Sequence, residues 1–394
     1  MTQEFTNLKI SDIAYKDHSR IDPSDNKDKT FNLYSFSAHD EGKEPDIKMG
    51  SEIGSSKYEV PDNCVLVTKL NPRIQRVWKI NQSGDNAICS TEFVVLKPKD
   101  EEMLDYLYMI LSSDGFFNKM ERITGGTSGS HQRVSQSDIL EYEFTAPSAK
   151  DGRKRTSDLI NNIDRKIELN CELAELLEET AHAIYESKFS NVDEEVSMEE
   201  LGEFINGYSF DQDKVSDEGR PIIKIKELNN QISDSSDRYP DEYVDEDIED
   251  HSLESGDILL SWSATLDVFL WKQNRGLLNQ HIFRVDPNNE YSKVFIYHSI
   301  KPKMNEIRGR ASGTTTVHIN RDDLGEIYVP VGEDDLVEEF TTQTKDMFNK
   351  IISLKKENQR LAELRDYLLP QLLSGEVVIR DDKEESKSDG TSSD

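Results

Sequence analysis

Two sets of cationic and hydroxyl-bearing residues stand out in a chain whose overall charge of −31 is unfavourable for nucleic acid. Lys69, Arg73, Arg76 and Lys79 fall within eleven residues, and no acid interrupts the run from Val65 to Gly84. Lys119, Arg122 and Arg133 flank a Gly/Thr/Ser loop that carries Thr127, Ser128 and His131. In the second half, Lys301, Lys303, Arg308, Arg310 and Arg321 flank a similar loop with Thr314, Thr315, Thr316 and His318, with Ser261 and Ser263 upstream. Only Glu306 and Asp322 lie near these cations in sequence. Arg and Lys hold phosphates or pair with guanine edges, while Thr, Ser and His add groove contacts. Isolated surface cations are usually solvated. In a chain with 47 basic and 78 acidic residues, their gathering at equivalent places in both halves points to duplex DNA.

Catalytic patterns are missing from the sequence. Adenine methyltransferases use an Asn/Asp-Pro-Pro-aromatic loop and a Gly-rich cofactor turn; Asn71-Pro72-Arg73 has neither the second Pro nor the aromatic. There is no G-x-x-x-x-G-K-[ST] phosphate loop and no His-Glu-x-x-His. Cys64, Cys89 and Cys171 are too far apart for a metal knuckle or a disulfide framework. With so many acids, D/E-x-K spacings arise by chance. The expectation is a chain without catalytic residues, metal or cofactor of its own.

The elements that would position these residues repeat. VPDNCVLVTKL (60–70) and AICSTEFVVLKP (87–98) in the first half parallel SGDILLSWSAT (255–265) and LLNQHIFRVDP (277–287) in the second. The spacing predicts short amphipathic helices over 103–120 and 294–304. The loop-and-strand segments 125–144 and 312–329 follow. Val134/Ile319, Asp138/Asp323 and Ile139/Leu324 share one offset of 185 residues.

Each half closes on a long helix. From Thr156 to Phe189 there is no Pro or Gly, and Ile160, Ile163, Ile167, Ala174, Leu177, Ala181 and Ile184 recur at coiled-coil spacing, with Asn170 in the seam. The second helix runs from about Leu336 to Leu369, with Met347, Ile351, Leu354, Leu361 and Leu368 in the seam beside Asn358, and Pro370 is expected to end it. Two such helices suggest an antiparallel pair with register fixed by the asparagines. The fold class is therefore α+β, with two repeated β-rich domains separated by long helices. A helix over 156–189 would be roughly 50 Å long, about one to one-and-a-half DNA turns. That predicts a bipartite target with an unspecified gap and, because the halves differ in sequence, dissimilar blocks.

The acidic excess is spread along the chain, densest at DEYVDEDIED (241–250). Such a surface suits a salt-rich cytoplasm, as in a halophile, where screening tames the repulsion. The few cysteines, the lack of a signal-like N-terminus and the absence of a membrane-length apolar run fit a cytoplasmic protein. Residues 381–394 read as a disordered acidic tail.

LRDYLLPQLLSGEV (364–377), LGEFINGYSF (201–210) with GRPIIKIKEL (219–228), VLVTKLNPRIQRVW (65–78) and IDRKIELNCELAELLEETAHAIYESKF (163–189) together resemble the specificity subunits of type I restriction–modification systems. The likeness spans nearly the whole chain in order. TAPSAKDGRKR (145–155) and VPVGEDDLVEEF (329–340) depart from it, without the Pro-Leu-x-Glu-Gln entry to each helix. The resemblance implies target-recognition domains at 1–152 and 193–333, a central helix at 153–192, a C-terminal helix at 334–372 and an extension at 373–394. It also implies double-stranded DNA as ligand and two modification (methyltransferase) subunits docked on the helices for N6-adenine methylation. Restriction/motor subunits would complete the complex, with S-adenosylmethionine, ATP and Mg²⁺ in the partners. Two other readings stay open: a two-headed coiled-coil scaffold that binds no DNA, and a nuclease with a scattered carboxylate site.

Overall fold

Apolar runs bounded by turn residues fold here as short strands, and the stretches free of such breaks fold as helices. The computed structural model describes residues 4–17, 19–124, 132–229, 232, 235–263, 265–271, 273, 275–310, 319 and 321–379. The acidic tail from 381 onwards lies outside the described residues. The chain divides into two compact units, Met1–Arg165 with Leu361–Asp394, and Lys166–Arg360.

The first unit contains β1 (Phe5–Lys9), β2 (Ala14–Lys16), β3 (Arg20–Ile21), β4 (Thr30–Tyr34), β5 (Asp46–Met49), β6 (Lys57–Glu59), β7 (Cys64–Thr68), β8 (Val77–Ile80), β9 (Ala87–Cys89), β10 (Phe93–Pro98) and β11 (Glu143–Pro147). Strands β2, β10, β7 and β8 lie in that order in an antiparallel sheet. A second sheet runs β3, β6, β9, β4, β5, with β4 and β9 parallel. β1 and β11 form a separate antiparallel pair, Phe5 opposite Pro147.

The second unit contains β12 (Glu195–Ser197), β13 (Gly202–Asn206), β14 (Arg220–Ile223), β15 (Arg238–Tyr239), β16 (Ser252–Leu253), β17 (Ile258–Ser261), β18 (Asp267–Leu270), β19 (Gly276–Leu278), β20 (Ile282–Pro287) and β21 (Tyr328–Pro330). Its sheets repeat the plan. β13, β20, β17 and β18 match the four-stranded sheet, and β15, β14, β19, β16 again contain one parallel pair, β14 with β19. β12 pairs with β21 as β1 does with β11. The repeat extends to single hydrogen bonds: the Ile10 amide donates to the Tyr142 carbonyl at 3.1 Å and the Met198 amide to that of Ile327 at 2.7 Å. The two acceptors are separated by the same offset read from the sequence.

The central strands are buried on both faces, which explains their continuous apolar runs. Val65 and Val67 of β7 join a core with Leu107, Ile110 and Phe116, while Cys64 and Leu66 join another with Tyr34, Trp78 and Val95. In place of one helix over 103–120 there are two, α1 (Leu104–Leu111) and α2 (Asp114–Thr124). Ser113 makes the break: its hydroxyl donates to the Ile110 carbonyl at 2.7 Å and accepts from the Phe116 amide at 3.3 Å. In the second unit one helix, α3 (Lys293–Arg310), runs past the 304 limit read from sequence and carries Pro302 inside it.

The long helices are α4 (Lys150–Phe189) and α5 (Asp334–Ser374). At 40 residues, α4 is about 60 Å long. Pro370 does not end α5, contrary to expectation; the helix goes on to Ser374. Pro370 itself is exposed, so water reaches the carbonyl that loses its partner, and the extra turn buries Leu372 in the first unit's core. Within the second unit α4 and α5 pack antiparallel, with Lys188 on Glu339 at one end and Asn170 on Asn358 at the other. The seam asparagines meet: Asn170 Nδ2 donates to Asn358 Oδ1 at 2.8 Å and to Glu357 Oε2 at 2.9 Å, and Asn358 Nδ2 donates to the Ile167 carbonyl at 3.1 Å. Within the first unit, Arg365 pairs with Asp164 at 3.0 Å. Tyr185 and Phe189 of α4 pack on Phe295 and Phe340, where His298 lies buried with its ring 6.1 Å from that of His182. Burial, with His182 beside it, pushes the His298 imidazole down to about 4.

Candidate nucleic-acid interface

The tip of β7 and the loop after it form the core of the candidate interface in the first unit. The Thr68 hydroxyl donates to the Leu70 carbonyl at 2.9 Å and closes the strand end. Asn71 takes a left-handed conformation at φ 50°, which Asn tolerates better than most residues. The returning segment then joins the chain just beyond the end of β7: the Val134 amide donates to the Lys69 carbonyl and the Asn71 amide to the Gln132 carbonyl, each at 2.8 Å. These bonds bring Lys69 and Arg133, far apart in sequence, onto neighbouring strands.

The second unit builds the same feature. The Ser261 hydroxyl donates to the Ser263 carbonyl at 3.2 Å, as Thr68 does to Leu70, and the Ile319 amide donates to the Trp262 carbonyl at 3.1 Å, as Val134 does to Lys69. Both serines are buried, and the Ser261 hydroxyl holds the loop through the Ser263 carbonyl, so neither side chain is presented at the surface. The equivalence puts Trp262 where the first unit has Lys69. Sequence reading missed this residue, although the Val134/Ile319 match contained the clue. Trp262 Nε1 donates to Asn206 Oδ1 at 3.2 Å, and its ring lies 5.5 Å from that of His281. The strand beneath approaches closely: a Cβ on Gly207 would sit 2.2 Å from the Asn279 carbonyl oxygen, so only glycine fits.

The acid-free run around Arg73 does not remain acid-free once folded. Arg76 forms a bidentate pair with Asp40, with Nη2 at 2.5 Å, and lies over the Phe36 ring at 4.8 Å; its side chain is 12% exposed. That hydrogen-bonded guanidinium holds the Asp40 carboxyl down at about 2. Lys79 reaches Asp105 at 2.7 Å. Arg73 pairs with Glu121 at 2.9 Å and Arg133 with Glu92 at 2.7 Å, yet both arginines stay largely exposed, at 63% and 58%. Lys119 and Arg122 are exposed on α2 and form no ion pair among the described residues.

The second cluster is folded against acids too. Arg310 meets Glu326 at 2.7 Å and Glu306 at 3.4 Å, Arg308 donates to the Leu266 carbonyl at 3.1 Å near Asp267, Lys301 pairs with Glu178, and Lys303 lies 3.9 Å from Glu306. Asp267, Glu178 and Glu326 thus join the two acids visible from sequence. Thr127, Ser128, His131, Thr314, Thr315, Thr316 and His318 lie outside the described residues, as does the side chain of Arg321.

Among the described residues no group of three or more His, Cys, Asp or Glu could hold a metal ion, and no helix is long and apolar enough to cross a membrane. What the arrangement offers chemically is hydrogen bonding and charge: exposed guanidinium and ammonium groups near a segment that bonds just beyond the end of a central strand, in both units.

Comparison with known proteins gives a consistent picture. A family described as the type I restriction modification DNA specificity domain matches twice, over residues 3–179 and 192–358. The HindI type I restriction enzyme specificity subunit of Haemophilus influenzae is 23% identical, the match covering 82% of this chain and 88% of that protein. The MjaIX specificity subunit of Methanocaldococcus jannaschii is 22% identical over 72% of this chain and 71% of its own length. Among solved structures, the type I restriction–modification S subunit from M. genitalium shares the fold with a TM-score of 0.61 at 17% identity, covering 94% of this chain and 96% of that one.

Proposed function

Since this chain belongs to the type I restriction–modification DNA specificity family, we propose that each of its units reads one block of a bipartite, gapped duplex target. The observation that carries this reading is the double match of the specificity domain, together with the same backbone bond just beyond the end of β7 and of β17. The recognition domains are 1–152 and 193–333, joined by the helical segments 153–192 and 334–372. Their loops differ in composition, GGTSGSHQRV against SGTTTVHINR, so the two target blocks differ as well. The exposed cations Arg73, Arg122, Arg133, Arg308 and Arg310 position the backbone or meet guanine, while the buried and paired Arg76 shapes the loop.

In this reading the chain selects the site and does no chemistry itself. Two modification subunits dock on the long helices and methylate adenine N6 with S-adenosylmethionine, and restriction/motor subunits bring ATP and Mg²⁺. The setting is a cytoplasm rich in salt, to which the acidic surface is suited. The scaffold reading is not favoured, because the family match falls on both units.

The test is selection from a random duplex pool by the chain assembled with its modification subunit. Enrichment of two dissimilar blocks at one fixed separation is the expected result. Enrichment of a single palindromic block, or of nothing, would overturn the reading.

A further inference from the structure

Two exposed arginines of the first unit's interface, Arg73 and Arg133, are already occupied, each by a carboxylate that arrives from a distant part of the chain. Arg73 is held by Glu121 of α2, and Arg133 by Glu92, which sits in the turn before β10. These pairs differ in kind from Arg76–Asp40, whose guanidinium is nearly enclosed and packed on an aromatic ring. An exposed ion pair adds little stability, so Glu121, 43% exposed, contributes little to the fold through Arg73; Glu92, at 24%, is more enclosed. Their geometric effect is larger. A carboxylate offers acceptor oxygens as a phosphate does; here one oxygen of each engages its guanidinium, which keeps its charge while the pair as a whole is neutral.

Resting on the DNA-reading function given above, we propose that Glu121 and Glu92 are phosphate surrogates: they neutralise Arg73 and Arg133 until a duplex backbone displaces them. Lys119 and Arg122, which form no ion pair among the described residues and lie on the same helix as Glu121, make the first contact, and exchange of carboxylate for phosphate follows. Each exchange swaps one ion pair for another, so duplex of arbitrary sequence gains little from it. Discrimination then rests on base contacts, with non-specific attraction held down by carboxylates that DNA must push aside. Glu326 stands in the same relation to Arg310 in the second unit.

The test uses the full chain and a mixed-sequence duplex in a fluorescence anisotropy titration over a range of salt. Glu121→Gln, and Glu121→Gln with Glu92→Gln, are compared with Arg73→Ala/Arg133→Ala and with the quadruple variant. Each glutamine is expected to tighten binding by up to about fivefold, the ceiling set by an exposed pair. It should also steepen the log–log salt slope by up to about 0.9, and both gains should vanish in the quadruple variant. If the arginine variant weakens binding but the glutamine variants leave affinity and slope unchanged, the surrogate role is overturned and the DNA face stands. If the glutamine variants weaken binding, the carboxylates are positioning residues and the proposal also falls. If no variant has an effect, the first unit's face is not where DNA binds, and both readings of it fail. Glu121→Gln alone guards against misfolding at the less exposed Glu92.

Discussion

Replacing Asn170 by Leu removes the buried centre of a polar cluster in an otherwise apolar seam. Asn170 Nδ2 serves Asn358 Oδ1 and Glu357 Oε2, and its Oδ1 accepts from Lys166 Nζ at 3.0 Å. In the single variant, Asn358 keeps its bonds to the Ile167 carbonyl and to Cys171 Sγ but loses its acceptor's partner, while Lys166 and Glu357, each about half exposed, keep their mutual pair at 3.5 Å. The group left unpaired is the part-buried Asn358 oxygen, and a net hydrogen bond of this kind is worth about 1 kcal/mol, so about 1 kcal/mol is expected here. For a unit of this size that is a fall in Tm of roughly 2–4 °C. Asn170→Leu/Asn358→Leu replaces both partners by apolar side chains and should recover most of the loss or exceed the parent, while register becomes less well defined. Scanning calorimetry and urea unfolding of the parent, both singles and the double complete the cycle. A single variant within about 1 °C of the parent, or a double whose loss equals the sum of the singles, would refute the seam account.

Three further outcomes follow from the same structure. Asp40 has its folded pKa depressed to about 2 by Arg76, so the pair's contribution is present above the ordinary carboxylate value of 3.8 and is lost as pH falls from there towards 2; Arg76→Met should flatten that acid limb in a plot of Tm against pH. His298 also has a depressed folded value, about 4 against an ordinary 6.5, because burial and His182 disfavour its charged form. Stability is therefore full above 6.5 and falls progressively as pH drops towards 4, and His298→Phe should remove most of that slope in acid unfolding curves. Gly207→Ala sets a methyl against the Asn279 carbonyl and should cost about 2 kcal/mol, whereas Gly54→Ala, with open space around it, should be near neutral in urea unfolding.

The parts of the fold legible in the sequence were those governed by local periodicity and by repetition. The offset joining Val134 to Ile319 reappears as the backbone bonds to Lys69 and Trp262, and the two seam asparagines bond to one another. Periodicity reveals such features because a helix face or a strand edge fixes its neighbours within a few residues. The ion pairs were not legible. Arg76 with Asp40, Arg73 with Glu121 and Arg310 with Glu326 join segments that only the folded chain brings together, and in so acidic a sequence no acid announces its partner. Ser261 and Ser263 read as groove contacts because hydroxyls in a loop commonly are; both are buried, and the Ser261 hydroxyl closes the strand end on the Ser263 carbonyl. Pro370 misled for a related reason: the helix continues because Leu372 gains more by burial than one lost backbone bond costs at an exposed turn.

The most direct measurement of the central claim is a map of N6-methyladenine across the host genome with this gene intact and deleted. The account predicts that deletion erases methylation at one gapped motif with two dissimilar blocks and leaves other motifs untouched. In a host whose modification subunit is expressed and active, an unchanged map, or the loss of an ungapped palindrome, would contradict it.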